Sequence, residues 1–184
     1  MTNLIVARWR DWDSKSLEHL ALQEGADQIV ADSAIITLTA DQAFAARYHI
    51  VCDHEWRLKK AQIAQIGGDA IQLASDGVGN WVDGSATPMP QLRGAIDIDI
   101  SITPFTNTLP IRRLNLRVGE SAEILVVYLQ LPGMKVTTDR QRYTCLEAGE
   151  SYRYESVDSD FTRDIEVDEH GLVVTYPGLF RRVL

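Results

Sequence analysis

Asp97 and Asp99 stand two residues apart at the head of DIDISITPFTNTLPIRRLNL, residues 97–116. On a strand, residues two apart share a face and lie about 6.5–7 Å from each other. That spacing suits a cation or an acid/base pair, since inverting glycosidases hold their carboxyls ~6.5–9.5 Å apart. It also suits any half-exposed strand, because Ile96, Ile98, Ile100 and Ile102 would form the opposite, apolar face. The plainer reading is preferred.

Arg112 and Arg113 follow in the same stretch. If IRRLNLRV is a strand, Arg112 shares a face with Leu114, Leu116 and Val118. A guanidinium on an apolar face needs a carboxylate or a polar ligand head, because an unpaired buried charge is very costly. Two readings stay open for Arg112: a structural pair with Asp97 or Asp99, slightly favoured, or an anchor for a ligand headgroup. If Pro110 opens a helical turn instead, the facing assignment no longer holds. Pro104 and Pro110 donate no backbone hydrogen bond, which excludes a central ladder strand between them. Thr103, Thr106, Asn107 and Thr108 can satisfy nearby backbone groups, as ordered loops require. Asp97, Asp99, Pro104, Asn107, Pro110 and Arg113 are therefore expected to build a structural corner.

Tyr143, Tyr152 and Tyr154 fall on neighbouring late strands, and Tyr152 and Tyr154 share a face in ESYRYES. Their rings and hydroxyls could meet an amphipathic ligand or simply pack the sheet. With Arg112 they are the candidate ligand-binding residues. Trp12, between Asp11 and Asp13, is the tryptophan least suited to a core, and marks a surface or interface position. His49, Cys52, Asp53, His54 and Glu55 invite a metal, but on one strand His49 faces away from Cys52 and His54. No metal and no cofactor is expected. GVGNWVDG lacks the spacing of a phosphate loop, and no GxSxG nucleophile elbow occurs.

The elements that must position these residues read as overwhelmingly β. In RYHIVCD, Tyr48, Ile50 and Cys52 alternate onto one face. WRLKKAQIAQI alternates imperfectly, and ILVVYLQL (124–131) is apolar on both faces, as a doubly covered central strand would be. Turns are signalled at Gly67–Gly68–Asp69 and Asp76–Gly77, and hairpins around Ala148–Gly149 and Glu169–His170–Gly171. Helix signals are short: the Asp41–Ala46 region and a turn opened by Thr108 and Pro110. Many short antiparallel strands imply an all-β barrel, sandwich or roll with few or no helices.

At 184 residues, with 45% hydrophobic and 24% charged residues, the chain is expected to form one globular domain over residues 1–184. A net charge of −8 with scattered basic residues argues against a nucleic-acid partner. Two distant cysteines, no signal-like N-terminus and no apolar run near ~20 residues predict a soluble, cytoplasmic chain without a membrane span.

GAIDIDISITPFTNTLPIRRLNL (94–116), YHIVCDHEWRLKKAQI (48–63), DGVGNWV (76–82) and DEHGLVVTYPGLFRR (168–182) together resemble the putative glycolipid-binding family of bacterial proteins. The resemblance spans nearly the whole chain and implies a spiral β-roll, or incomplete barrel, similar to periplasmic lipoprotein carriers. It implies no catalytic residues, and a fold likeness does not fix function. The expected function is non-enzymatic binding of a lipid or glycolipid on the concave apolar face of the roll. The alternatives are an interaction protein that forms a homodimer through a sheet edge, or an enzyme on a small or carbohydrate substrate using Asp97 and Asp99.

Overall fold

The computed structural model describes residues 3–39 and 42–183. Seven strands run consecutively: β1 (Asn3–Asp11), β2 (Leu17–Glu24), β3 (Gln28–Leu38), β4 (Ala43–Asp53), β5 (Leu58–Gln65), β6 (Ala70–Ser75) and β7 (Trp81–Asp83). Seven more follow: β8 (Asp97–Ile100), β9 (Ser121–Gln130), β10 (Lys135–Glu147), β11 (Ser151–Ser156), β12 (Thr162–Val167), β13 (Val173–Tyr176) and β14 (Phe180–Val183). All belong to one open sheet, ordered β7-β6-β5-β4-β3-β2-β1-β14-β13-β12-β11-β10-β9-β8. The protein is thus all-β with few helices. The first and last strands meet in mid-sheet, where Arg8–Asp11 of β1 pair antiparallel with Phe180–Val183 of β14.

The end strands β7 and β8 are short and do not share a ladder, yet they approach closely. Trp81 Nε1 donates to the Ala95 carbonyl at 2.8 Å, and the Gly94 amide to the Gly79 carbonyl at 2.9 Å. A Cβ on Gly79 would fall 2.9 Å from the Gly94 Cα, so glycine is required where the two backbones meet.

Alternation explains most of the sheet. Ile29, Ala31 and Ile35 of β3 and Phe44, Ala46, Tyr48, Ile50 and Cys52 of β4 are buried on one face. The imperfect alternation of WRLKKAQIAQI has a local cause. Val51 pairs with Lys60 but Cys52 with Leu58, a bulge that inserts Lys59 and lets Leu58, Ala61 and Ile63 all point inward. The expected helix at Asp41–Ala46 is corrected: Asp41 lies outside the described residues, and Ala43–Ala46 open β4 in register with β3. Ladder pairing and the inward turn of Phe44 and Ala46 outweigh alanine's helix propensity here.

β8 and β9 pair in parallel, and a parallel pair requires a long crossover. Residues 101–120 supply it, and they bring the one α-helix among the described residues, α1 (Thr108–Leu114), onto the inner face after a 3-10 turn at Phe105–Asn107. IRRL is therefore helical, not a strand, and the strand facing inferred for Arg112 does not apply. Every residue from Thr103 to Ile111 is buried. Phe105 and Leu109 join the core of the N-terminal half of the sheet, while Ile111 joins that of the C-terminal half beside Tyr143, Tyr152 and Tyr154. The buried face of the sheet is consequently packed against this segment.

The helix also decides which arginine meets the buried carboxylate. Arg113, not Arg112, pairs with Asp97, Nε to Oδ1 at 3.0 Å and Nη2 to Oδ2 at 2.6 Å. Arg112 instead donates to the His170 carbonyl at 3.0 Å and lies over the Trp56 ring at 4.9 Å. Asp97 is 0% exposed, so removing Arg113 strands a charge in the core. Arg113→Ala should cost roughly 3–5 kcal/mol in denaturant unfolding, and Arg112→Ala roughly 1 kcal/mol. Equal losses for the two would show that the Asp97 pair is not the stabilising one.

Candidate functional site

A cleft of about 570 Å3 lies where the ends of several strands meet the C-terminal end of α1. Its size is in the range of small-ligand sites. Trp56, Arg112 and Tyr152 contribute to its lining, together with His54, Glu55 and Glu169.

The β4–β5 turn supplies Trp56. Asp53 Oδ1 accepts from the amides of Glu55 (3.0 Å) and Arg57 (2.9 Å), and within this capped turn Trp56 adopts φ +63°. A left-handed aromatic residue is uncommon, and such strain concentrates at functional positions. Trp56 is 4% exposed, with the Arg112 guanidinium above its ring. Gly171, at φ +74°, backs Arg112 from the β12–β13 turn: a Cβ there would fall 2.9 Å from Arg112 Cδ. Asp168 Oδ1 fixes the same turn by accepting from the His170 and Leu172 amides, both at 2.9 Å, and its Oδ2 takes Arg182 Nη1 at 2.6 Å. Arg112 Nη2 also stands 3.6 Å from Glu24 Oε1.

Tyr152, on β11, is nearly buried, and its hydroxyl accepts from the Gly149 amide at 3.4 Å. Glu55 and Glu169 lie exposed, and Glu55 pairs with Arg57. The floor thus combines aromatic rings with a fixed guanidinium, and the rim adds carboxylates. This is a set able to hold several hydroxyls in fixed directions.

The four candidate ligand residues divide. Arg112 and Tyr152 share the cleft. Tyr154 lines a separate, smaller cavity. Tyr143 is 1% exposed, and its hydroxyl donates to Asn107 Oδ1 at 2.9 Å within the core. Around the corner, the Pro104 carbonyl accepts from the Asn107 amide and side chain, and Pro110 lies inside α1. Asp97 and Asp99 have different partners, since Asp99 Oδ1 accepts from Thr106 and Oδ2 from Gln141. No histidine lines the cavity that Asp99 faces.

His49 pairs with Asp32 at 2.7 Å on the outer face, while Cys52 is buried on the inner face of β4. Burial lifts the Cys52 thiol far above its ordinary range, as expected of an inert core cysteine. Among the described residues no group of histidine, cysteine and carboxylate side chains could hold a metal. Trp12 is 43% exposed, with Arg181 5.7 Å over its ring.

Glu18 was legible in the sequence but not singled out. In LEHLALQE it alternates with Leu20 and Leu22, which are 0% exposed, and Glu18 itself is 3% exposed. Its Oε1 accepts from Tyr48 (2.7 Å), Ser33 (2.8 Å) and Thr103 (2.9 Å), while Oε2 has no protein partner. Burial pushes its carboxyl up to about 7, against the opposing pull of those three hydroxyls. The folded state therefore keeps a proton that the unfolded chain releases near 4.5. Glu18's contribution to stability is full below pH 4.5 and falls as pH rises to about 7, by roughly 3 kcal/mol in all. Melting at pH 5 and pH 8 should show this loss in the wild type and a smaller one in Glu18→Gln. An unchanged pH dependence in the variant would count against the assignment.

Comparison with known proteins agrees with this architecture. A family model described as "Putative glycolipid-binding" matches residues 6–182. The crystal structure of a DUF1089 family protein from Pseudomonas aeruginosa superposes with a TM-score of 0.81 at 37% identity, covering 92% of this chain and 93% of that one. No curated protein matches the chain. A match over residues 6–182 leaves only the extreme termini outside it, and the chain belongs to the putative glycolipid-binding family.

Proposed function

We propose that the chain binds the polar head of a lipid or glycolipid, without chemical change, in the cleft above Trp56, Arg112 and Tyr152. The observation that carries this reading is the cleft itself: about 570 Å3, with a rigid aromatic and guanidinium floor and a carboxylate rim. Sugar hydroxyls both donate and accept, and this lining offers both. The buried apolar face of the sheet is packed against Phe105, Leu109 and Ile111, which favours the end cleft as the place for a headgroup. Binding also fits better than catalysis. Asp97 is committed to Arg113, and Asp99 faces a cavity whose lining holds no general-base histidine.

No described helix is long and apolar enough to cross a membrane. Native mass spectrometry of the purified protein, with solvent extraction and lipid analysis, should reveal a bound lipid or glycolipid. Tyr152→Phe keeps the ring and deletes one hydroxyl, so retention should fall about five-fold at unchanged melting temperature. A bare mass, together with no binding to glycolipid-containing vesicles, would sink the proposal.

A further inference from the structure

The cavity beyond Tyr154 measures about 140 Å3 and is bounded by β11, the β11–β12 loop at Phe161 and the β13–β14 turn. Asp99 lines it, and its hydrogen bonding is already met: Oδ1 accepts from Thr106 Oγ1 at 3.1 Å and Oδ2 from Gln141 Nε2 at 2.8 Å. The same Gln141 amide reaches Asp139 Oδ2 at 3.1 Å, which adds a second carboxylate behind the first. No basic side chain lines the cavity, and among the described residues Asp99 forms no ion pair. Asp97, on the same strand, is by contrast matched by Arg113. What stays unsatisfied at Asp99 is charge, not hydrogen bonding.

The walls are aromatic. Tyr154 meets Phe161 at 5.9 Å and 68°, and Tyr176 at 6.1 Å and 59°, while Tyr176 meets Phe180 at 6.4 Å and 60°. Rings inclined to one another in this way form the sides of a box, and their faces attract cations. Phe161 already takes one: the Arg163 guanidinium lies 4.7 Å over its ring, outside the cavity, held by the Thr162 and Pro177 carbonyls. A neutral sugar would answer neither the charge nor these faces as well as a cation does.

We propose that this cavity binds a small organic ammonium group, with Asp99 as counter-charge and Tyr154, Tyr176 and Phe180 as walls. The assignment is independent of the end cleft. The ammonium group could come from a free cation of the choline type or from a lipid headgroup that carries one, and the two sources are separable.

The test is an NMR titration of the full chain with choline chloride, at constant ionic strength, beside its uncharged isostere 3,3-dimethylbutan-1-ol. Choline should shift the signals of the residues around the cavity and bind at least about ten-fold more tightly than the isostere. Asp99→Asn should erase that preference. Phe180→Ala, at the half-buried rim, should weaken choline binding at unchanged fold and serves if the Asp99 variant does not fold. Flotation with phosphatidylcholine but not phosphatidylglycerol vesicles, lost in Phe180→Ala, would assign the group to a lipid head. Equal binding of choline and the isostere, or binding of neither choline nor phosphatidylcholine vesicles, would overturn the proposal.

Discussion

An irregular segment cannot lie inside a protein unless the polar groups it carries find partners, and among the described residues no buried side-chain polar atom of residues 103–113 lacks one. Thr103 donates to Glu18, Thr106 to Asp99 and Thr108 to the Gly171 carbonyl. Asn107 accepts from Tyr143, and Arg113 closes on Asp97. These partners lie on β2, β8, β10 and the β12–β13 turn, so the segment ties both halves of the sheet to one plug. The open sheet depends on this. Without a closing ladder between β7 and β8, the inner faces of the two halves are brought together by what lies between them.

Two buried carboxylates, Glu18 and Asp97, and the half-buried Asp99 show different solutions to one electrostatic problem. Asp97 is neutralised by a two-pronged guanidinium, the geometry that best offsets desolvation. Glu18 is surrounded by hydroxyls and gives up its charge near neutrality. Asp99 is hydrogen-bonded but unmatched in charge beside an aromatic cavity. Burial raises all three carboxyls, but only Asp97 has a cation to draw it back.

The meandering topology explains how turns come to line the end cleft. Strand interiors spend their backbone on ladders and their side chains on packing. Turns are free to converge, and a rigid sheet holds them in place. The Asp53 and Asp168 turns, each capped by a carboxylate that accepts two amides, set Trp56 and the Arg112 contact in the cleft. The Tyr176–Phe180 turn does the same for the smaller cavity.

Much of the fold was legible in the residues. Period-two patterns such as RYHIVCD, and turn pairs such as Asp76–Gly77, fixed strands and hairpins because they report local geometry and which face seeks the core. Alternation in LEHLAL also carries a signal for Glu18, which the structure buries beside Leu20 and Leu22, and two prolines excluded a ladder strand from 104–110. Which arginine would hold Asp97 could not be read there, since Arg112 and Arg113 are neighbours and a single choice between strand and helix exchanges their directions. That choice was set by the parallel β8–β9 pair, whose crossover had to return across the inner face, a long-range pairing with no local signal. The sequence by itself determined the strands and the polar groups needing burial partners. Only the tertiary structure decided that Arg112 meets Trp56 in a cleft and Asp99 faces a ring of aromatics, because those encounters join residues far apart in the chain.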